Sequence, residues 1–119
     1  MGWGRGFAPQ FLWNGFFFNF GSMTLAQIKS KVLPVFSGKP ITRAFVFGSF
    51  ARKENTPQSD LDILVELDPT ISVGLIEFIN IQIELEKQFG VKVDLVSDDG
   101  VSPYIRPFID LDKKQIYEA

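Results

Sequence analysis

The sequence predicts an α/β (α+β) fold: a small mixed β-sheet of about four strands, with helices mainly on one face. Short apolar runs that alternate with polar residues are typical of half-buried strands, and they occur at Ile41–Phe47, Leu61–Leu67 and Val91–Val96. Longer segments with the apolar spacing of helices lie around these runs. Strands that alternate with helices favour a layered arrangement, and 119 residues suffice for a single domain.

The composition indicates a soluble globular protein and excludes several kinds of catalysis. Apolar residues make up 45% of the chain and charged residues 22%, and the formal net charge is −2. Such a balance gives no overall attraction to nucleic acid, so strong nucleic-acid binding is not expected. The chain contains no cysteine and no histidine. Disulfides, zinc hydrolase sites and Ser-His-Asp triads are therefore excluded, and any proton acceptor must be a carboxylate, a lysine or a tyrosine.

Residues 1–22 differ from the rest of the chain. They are rich in Phe, Trp and Gly, and the glycines leave no helical or strand period. The apolar part is too short to span a membrane and lacks the pattern of a signal peptide. We interpret residues 1–22 as a vector-derived or upstream-translated leader, with residues 23–119 as the domain. An aromatic arm that docks on a partner is the alternative.

The first half of the domain predicts a helix, a strand and a short second helix. Thr24 is a good N-cap, and Pro34 together with Ser37–Pro40 is expected to end the helix. The positions with helical spacing are Leu25, Ile28, Val32 and Leu33. The strand Ile41–Phe47 follows, and then a helical turn over Phe50–Glu54 that opens at Ser49. Residues 55–59 read as a loop because they are polar and contain proline.

The second half predicts the remaining strands and the longest helix. After the strand Leu61–Leu67, a helix is expected over Ser72–Phe89, with Gly90 as its C-cap residue. We expect its buried stripe to contain Leu75, Ile76, Ile79 and Ile83, continued by Glu86 and Phe89. After the strand Val91–Val96, Ser102-Pro103 is expected to start a helix through Tyr104, Ile105 and Phe108, which Pro107 would kink or shorten. Lys113–Tyr117 is favoured as a last edge strand over a helix tail.

Two carboxylates at the start of the second strand predict a cation site. Asp60 and Asp62 alternate along the chain, so they share one face of a strand. Two carboxylates with converging oxygens repel each other unless a cation lies between them, and Mg²⁺ prefers such oxygen ligands. Gly48 would let the backbone approach a phosphate closely, while Ser49 offers a hydroxyl and a backbone N–H.

Asp94 lies within an apolar strand and adds a third carboxylate to this prediction. Lys92, Asp94 and Val96 share one face of that strand. If the strand adjoins the Asp60–Asp62 strand, three carboxylates converge and two divalent ions are expected. Each feature also has a plainer interpretation. The two aspartates are compatible with a surface turn, Asp94 with an edge residue facing water, and Gly48-Ser49 with an ordinary turn.

The ordered pattern resembles a known family. Gly48-Ser49, ten further residues and Asp60-Leu61-Asp62 are similar to the signature of the DNA polymerase β-like nucleotidyltransferase superfamily. Gly48–Arg52 and the Ser59 before Asp60 resemble its minimal nucleotidyltransferase (MNT) branch, which includes the antitoxin partners of HEPN-domain toxins. The similarity covers roughly Met23 to the C-terminus, and it implies the nucleotidyltransferase fold and a cytoplasmic location.

The resemblance also implies roles for the site residues. Asp60 and Asp62 would bridge two Mg²⁺ ions, and Asp94 would bind the one that activates the attacking hydroxyl. Gly48 and Ser49 would hold the β- and γ-phosphates of a nucleoside triphosphate. Arg52 would reach the triphosphate as an added charge, and a solvated helix residue is its plainer interpretation.

The reaction expected from this site is transfer of a nucleoside monophosphate, AMP from ATP, to a hydroxyl. For the MNT branch the resemblance implies a tyrosine of a partner HEPN toxin, which is thereby silenced, so the chain would act as an antitoxin. Two alternatives stay open at this point: a non-catalytic subunit that neutralises a toxin by masking it, and a small-molecule nucleotidyltransferase of the aminoglycoside type. Association with a second copy is compatible with the apolar content.

Overall fold

The computed structural model describes residues 23–56 and 58–119. The interpretation of residues 1–22 as a leader therefore concerns residues outside the described part. In chain order the elements are α1 (Leu25–Phe36), β1 (Ile41–Phe47), α2 (Gly48–Arg52), β2 (Leu61–Leu67), α3 (Leu75–Phe89), β3 (Val93–Ser97), a 3₁₀ turn (Asp98–Gly100), α4 (Arg106–Asp112) and β4 (Lys114–Glu118). The predicted α/β class is confirmed, and the last segment is a strand as expected.

The four strands form one mixed sheet in the order β3-β2-β1-β4. β1 pairs antiparallel with β2 and with β4, whereas β2 and β3 are parallel. Parallel neighbours need a long connection, and α3 supplies it. The register places Asp62 opposite Phe47 on one side and opposite Asp94 on the other. The predicted acidic positions therefore meet on two adjacent strands.

The two faces of the sheet carry cores of different size. Helices α1 and α3 cover the larger core, to which β2 contributes Leu61, Ile63 and Val65. On the opposite face, which we call the acidic face because it carries Asp62, a smaller core contains Phe45, Leu64 and Ile109 of α4. The helices thus lie mainly on one face, as predicted. The acidic face is covered by α4 at Leu64, so it is not solvated along its whole length.

Helix α1 begins as predicted, and it ends at Phe36, directly before the predicted Ser37–Pro40 cluster. The Thr24 hydroxyl accepts the Gln27 N–H, and the Gln27 side chain accepts the Thr24 N–H, which together form a capping box. The expectation that Pro34 ends the helix was wrong, because the helix continues to Phe36. Proline lies here in the last turn, and burial of Val35 and Phe36 just beyond it stabilises the extra residues.

Of the predicted stripe of helix α3, Phe89 is buried, but most of the other predicted positions are exposed. It begins at Leu75 rather than Ser72 and ends at Gly90, whose φ of 70° fits the predicted C-cap. Its buried residues are Ile81, Leu85 and Phe89. The predicted Leu75, Ile76, Ile79 and Ile83 are between 42% and 75% exposed. The helix carries two apolar stripes, and only its packing on the sheet selects between them.

The C-terminal elements differ from prediction only at their ends. β3 begins at Val93, two residues later than expected, and α4 begins at Arg106. Pro107 therefore lies in the first turn of α4, where its missing N–H needs no partner, and it does not kink the helix. No helix in the described part of the chain combines the length and apolar character needed to cross a membrane.

Candidate active site

The structure brings Asp62 and Asp94 side by side. They are register partners on the parallel strands β2 and β3, so their side chains project from the same face of neighbouring strands, which lie about 4.8 Å apart in any sheet. Asp60 precedes β2 by one residue and is exposed, as is Asp94, whereas Asp62 is half-buried. The parallel pairing created by the α3 crossover thus gathers the three predicted acids at one end of the sheet.

The three carboxylates interact electrostatically. Burial, followed by the negative charges of Asp94 and Asp60, raises the pKa of Asp62 to about 6, while Arg52 opposes the increase. No hydrogen-bond donor among the described residues reaches the Asp62 carboxylate. A half-buried carboxylate with acidic neighbours and no donor ionises less readily than a free one, and a bound cation would stabilise its charged form.

The acidic cluster is suited to a divalent ion without forming a finished cage. Within residues 23–56 and 58–119, no three acidic side chains lie close enough together to encage a metal ion. Asp60, Asp62 and Asp94 offer only carboxylate oxygens, the donor type that Mg²⁺ prefers, and Mg²⁺ commonly completes its coordination with water and substrate phosphate. The residues present therefore fit Mg²⁺ by donor type and by charge.

Gly48 borders the acidic cluster from the end of β1. Its φ is 72°, and a Cβ atom at this position would overlap the Asp62 Oδ2. Both the backbone conformation and the contact with Asp62 therefore require glycine. Ser49 follows in the first turn of α2, half-buried, and its hydroxyl has no hydrogen-bond partner within the described residues. The Gly48 backbone thus lies against Asp62, and the next residue carries a hydroxyl that is unpaired within the described residues.

Arg52 is already engaged by two carboxylates. Its Nη1 lies 2.6 Å from the Asp112 Oδ2, and its Nε lies 3.0 Å from the Glu54 Oε1. It lies near enough to Asp62 to lower that residue's pKa. Arg52 is therefore neither a free phosphate ligand nor a merely solvated residue. Sequence reasoning did not identify Asp112, because 60 residues separate it from Arg52 and no local pattern marks the pair.

Comparison with known proteins now places this geometry in a family. Residues 27–119 match the sequence profile of the nucleotidyltransferase domain family. The chain belongs to this family. Among its relatives, a Methanocaldococcus jannaschii protein named as a protein adenylyltransferase is 34% identical over 84 residues, which cover 71% of this chain and 88% of that protein.

Solved nucleotidyltransferase structures have the same fold. A minimal nucleotidyltransferase is 31% identical, with a TM-score of 0.64, and the match covers 78% of this chain and 96% of that one. The structure of a tri-AMPylated Shewanella oneidensis HEPN toxin in complex with its MNT antitoxin matches at 17% identity and a TM-score of 0.61, covering 81% of this chain and 74% of that one. At that identity the second match shows the fold alone. The family recognised from Gly48-Ser49 and Asp60-Leu61-Asp62 is confirmed, and the chain is a nucleotidyltransferase similar to protein adenylyltransferases.

Proposed function

We propose that this nucleotidyltransferase transfers AMP from ATP to a tyrosine hydroxyl of a HEPN-domain toxin, in the cytoplasm, and thereby acts as an antitoxin. The observation that carries the proposal is the alignment of Asp62 with Asp94 across β2 and β3, with the backbone of Gly48 against the Asp62 Oδ2. This arrangement places an anionic cluster next to a backbone turn that can approach phosphate. The names of the similar proteins suggest that the transferred group is adenylyl and that the partner is a HEPN toxin.

The chain's own residues divide the work between phosphate and cation. Gly48 and Ser49 are placed to receive the β- and γ-phosphates, because the Gly48 backbone is bare and the Ser49 hydroxyl is unpaired in the described structure. Two Mg²⁺ ions would be held by Asp60 and Asp62, one of them also by Asp94, and when bound would neutralise the triphosphate and lower the pKa of the acceptor hydroxyl. Arg52, held by Asp112, adds positive charge at the same edge.

The reaction balances without any further reactant. The acceptor oxygen forms a bond to the α-phosphorus, the bond from that phosphorus to the bridging oxygen of the β-phosphate breaks, and pyrophosphate leaves. The hydroxyl proton passes to solvent, to which Asp60 and Asp94 are both exposed. Asp62 contributes a half-buried negative charge at a fixed position. Because solvent screens a half-buried charge less, Asp62 attracts a cation at the reacting centre more strongly than an exposed carboxylate would.

A second candidate function is neutralisation of a toxin by masking alone. One observation favours it: large apolar side chains are exposed on α3 and α4. A masking subunit would neutralise its toxin without ATP, so removal of the carboxylates separates the two candidates.

The test is transfer of label from ATP that carries ³²P at the α-phosphate. Purified protein, Mg²⁺ and a HEPN-domain protein from the same genome should yield a labelled HEPN protein, with the label mapped to a tyrosine by mass spectrometry. The double substitution Asp60→Ala and Asp62→Ala should reduce labelling by at least about 100-fold, since it removes the charges on which the metal depends. Glu77→Ala is the matched control, because Glu77 is an exposed carboxylate on α3, behind the sheet.

Each outcome separates one part of the proposal. Labelling that persists in the double variant contradicts the assigned site. Label on another residue type contradicts the tyrosine target. Neutralisation of the toxin that is unchanged in the double variant, with no label in the wild type, favours the masking subunit.

A further inference from the structure

Helix α4 crosses the acidic face directly beside the candidate site. Its buried Ile109 packs against Phe45 and Leu64. Leu64 is two residues from Asp62 on β2, so the two side chains occupy successive positions on the same face, roughly 7 Å apart. The helix therefore forms a wall that begins one side-chain row away from the carboxylates.

One flank of α4, together with the turn that precedes it, is apolar and exposed. We call this surface the apolar flank: it consists of Tyr104, Ile105, Phe108 and Leu111, which are 86%, 49%, 68% and 84% exposed. Phe108 precedes Asp112 by one helical turn and therefore shares its side of the helix. Asp112 contacts Arg52 of α2 at the site. The apolar flank thus lies on the side of α4 that faces the site edge.

The other flank of α4 is polar and is already satisfied. The Arg106 Nη1 lies 2.7 Å from the Asp98 Oδ1, and the Lys113 Nζ lies 3.0 Å from the Asp110 Oδ1. The helix therefore has its own core contact and its own ion pairs, and the apolar flank contributes to neither. Several large, exposed apolar side chains so close together in the chain indicate an interaction site.

The charges around the apolar flank restrict what can cover it. The cations nearby, Arg52, Arg106 and Lys113, are each paired with a carboxylate. Residues 98–113, which include α4, contain four aspartates against Arg106 and Lys113, and Asp62 lies one side-chain row from Leu64, so the surroundings of the apolar flank are net acidic. The complementary surface is therefore apolar at its centre and basic at its rim.

We propose that the apolar flank is the docking surface for the protein acceptor, which contacts it through apolar side chains with lysine or arginine around them and so presents its hydroxyl to the adjacent site. The inference rests on the proposed transfer of AMP to a protein. Four large side chains extend from the turn before α4 to its last turn, whereas a nucleobase stacks on one or two rings. The size of the surface thus favours a protein over the base of ATP.

The first experiment captures the occupant in cells. The full chain carries a photo-crosslinker in place of one residue, either Phe108→benzoylphenylalanine or the control Ile76→benzoylphenylalanine. Ile76 is exposed to a similar degree, 75%, and lies on α3 behind the sheet. The position-108 probe should capture a protein that carries AMP in cells with the active site and lacks AMP in cells with Asp60→Ala and Asp62→Ala. The position-76 probe should not capture it.

The second experiment measures both substrates with that purified acceptor. Phe108→Ser with Leu111→Ser should lower kcat/KM for the acceptor by about 10- to 100-fold, the usual effect of removing an apolar anchor, and leave the KM for ATP unchanged. Ile76→Ser should change neither value. All three substitutions replace exposed side chains, so the variants should keep the fold. Thermal unfolding of each variant checks this.

The outcomes distinguish this inference from the function on which it rests. If AMP-bearing proteins form but the position-108 probe captures none of them, or both probes capture them equally, the docking surface is wrong while AMP transfer stands. A parallel rise in the KM for ATP would instead assign the flank to the nucleobase and overturn the inference. If no protein acquires AMP, the proposed function fails, and the docking surface fails with it.

Discussion

Gly48 satisfies two separate requirements at one position. Its φ of 72° belongs to the left-handed region, and a side chain there would meet the Asp62 carboxylate. Gly38 has a comparable φ of 81°, but nothing lies within 4 Å of the position that a Cβ would take. The two glycines therefore allow backbone strain to be separated from the contact with the acidic cluster.

We predict different effects of alanine at these two positions. Gly38→Ala and Gly48→Ala should each lower the free energy of unfolding by about 1–2 kcal/mol, the cost of a left-handed conformation with a Cβ. Only Gly48→Ala should also reduce AMP transfer, by roughly 100-fold, because it displaces the Asp62 carboxylate from its position. Urea denaturation and the labelling assay measure the two effects. Equal activity in both variants would show that the Gly48–Asp62 contact has no catalytic role.

At the residue scale, the sequence identified what local spacing encodes. Gly48, Ser49, Asp60 and Asp62 form an ordered pattern within one short stretch, so their identity could be read before their geometry was known. Asp112 could not be found in this way, because its contact with Arg52 depends on where α4 lies on the sheet. Contacts between residues far apart in the sequence are set by tertiary packing, and they produce no periodic pattern in the sequence.

At the scale of elements, α3 illustrates the limit of periodicity. The predicted and the buried stripes both have helical spacing and share Phe89, but the predicted Ile76 and Ile79 are exposed. Packing of the helix on the sheet buries Ile81, Leu85 and Phe89 in the larger core. The effects of two prolines were also misjudged: Pro34 lies in the last turn of α1 without ending it, and Pro107 lies in the first turn of α4 without kinking it. The ends of the strands were predicted to within two residues, because an alternating pattern leaves only two possible choices of buried face.

The two stripes of α3 should respond differently to truncation. Leu85→Ala should lower the free energy of unfolding by about 2–5 kcal/mol, because it leaves a cavity in the core. Ile76→Ala should change it by less than about 0.5 kcal/mol, since that side chain is mainly in solvent. Denaturant unfolding of the two variants checks this directly. A large loss for Ile76→Ala with a small one for Leu85→Ala would contradict the observed orientation of the helix.

At the scale of the whole molecule, the fold concentrates negative charge that the sequence spreads out. A net charge of −2 is modest for 119 residues, yet the parallel pairing of β2 and β3 places Asp94 against Asp62 with Asp60 close by. The folded state therefore works against ionisation of Asp62, whereas the unfolded chain does not. Electrostatic repulsion of this kind is usual at a binding site, because the bound ligand relieves it.

This conflict predicts an unusual dependence of stability on pH. The pKa of Asp62 rises from 3.8 to about 6 on folding, through burial and the charges of Asp94 and Asp60. Between these values the folded state binds more protons than the unfolded one, so this contribution to stability is present below pH 4 and is lost as pH rises through 6.

Asp62→Asn should remove that dependence, because an amide cannot ionise. In EDTA at pH 7.5 the variant should be more stable than the wild type by on the order of 1 kcal/mol, after allowance for partial exposure of the side chain, and the difference should vanish near pH 4. Asp110→Asn serves as the control, since Asp110 forms an exposed pair with Lys113 and should alter stability little. Urea denaturation across this pH range provides the measurement. A variant that keeps the wild-type slope would show that the three acids do not interact at the end of the sheet, and the metal site inferred from them would then have no basis.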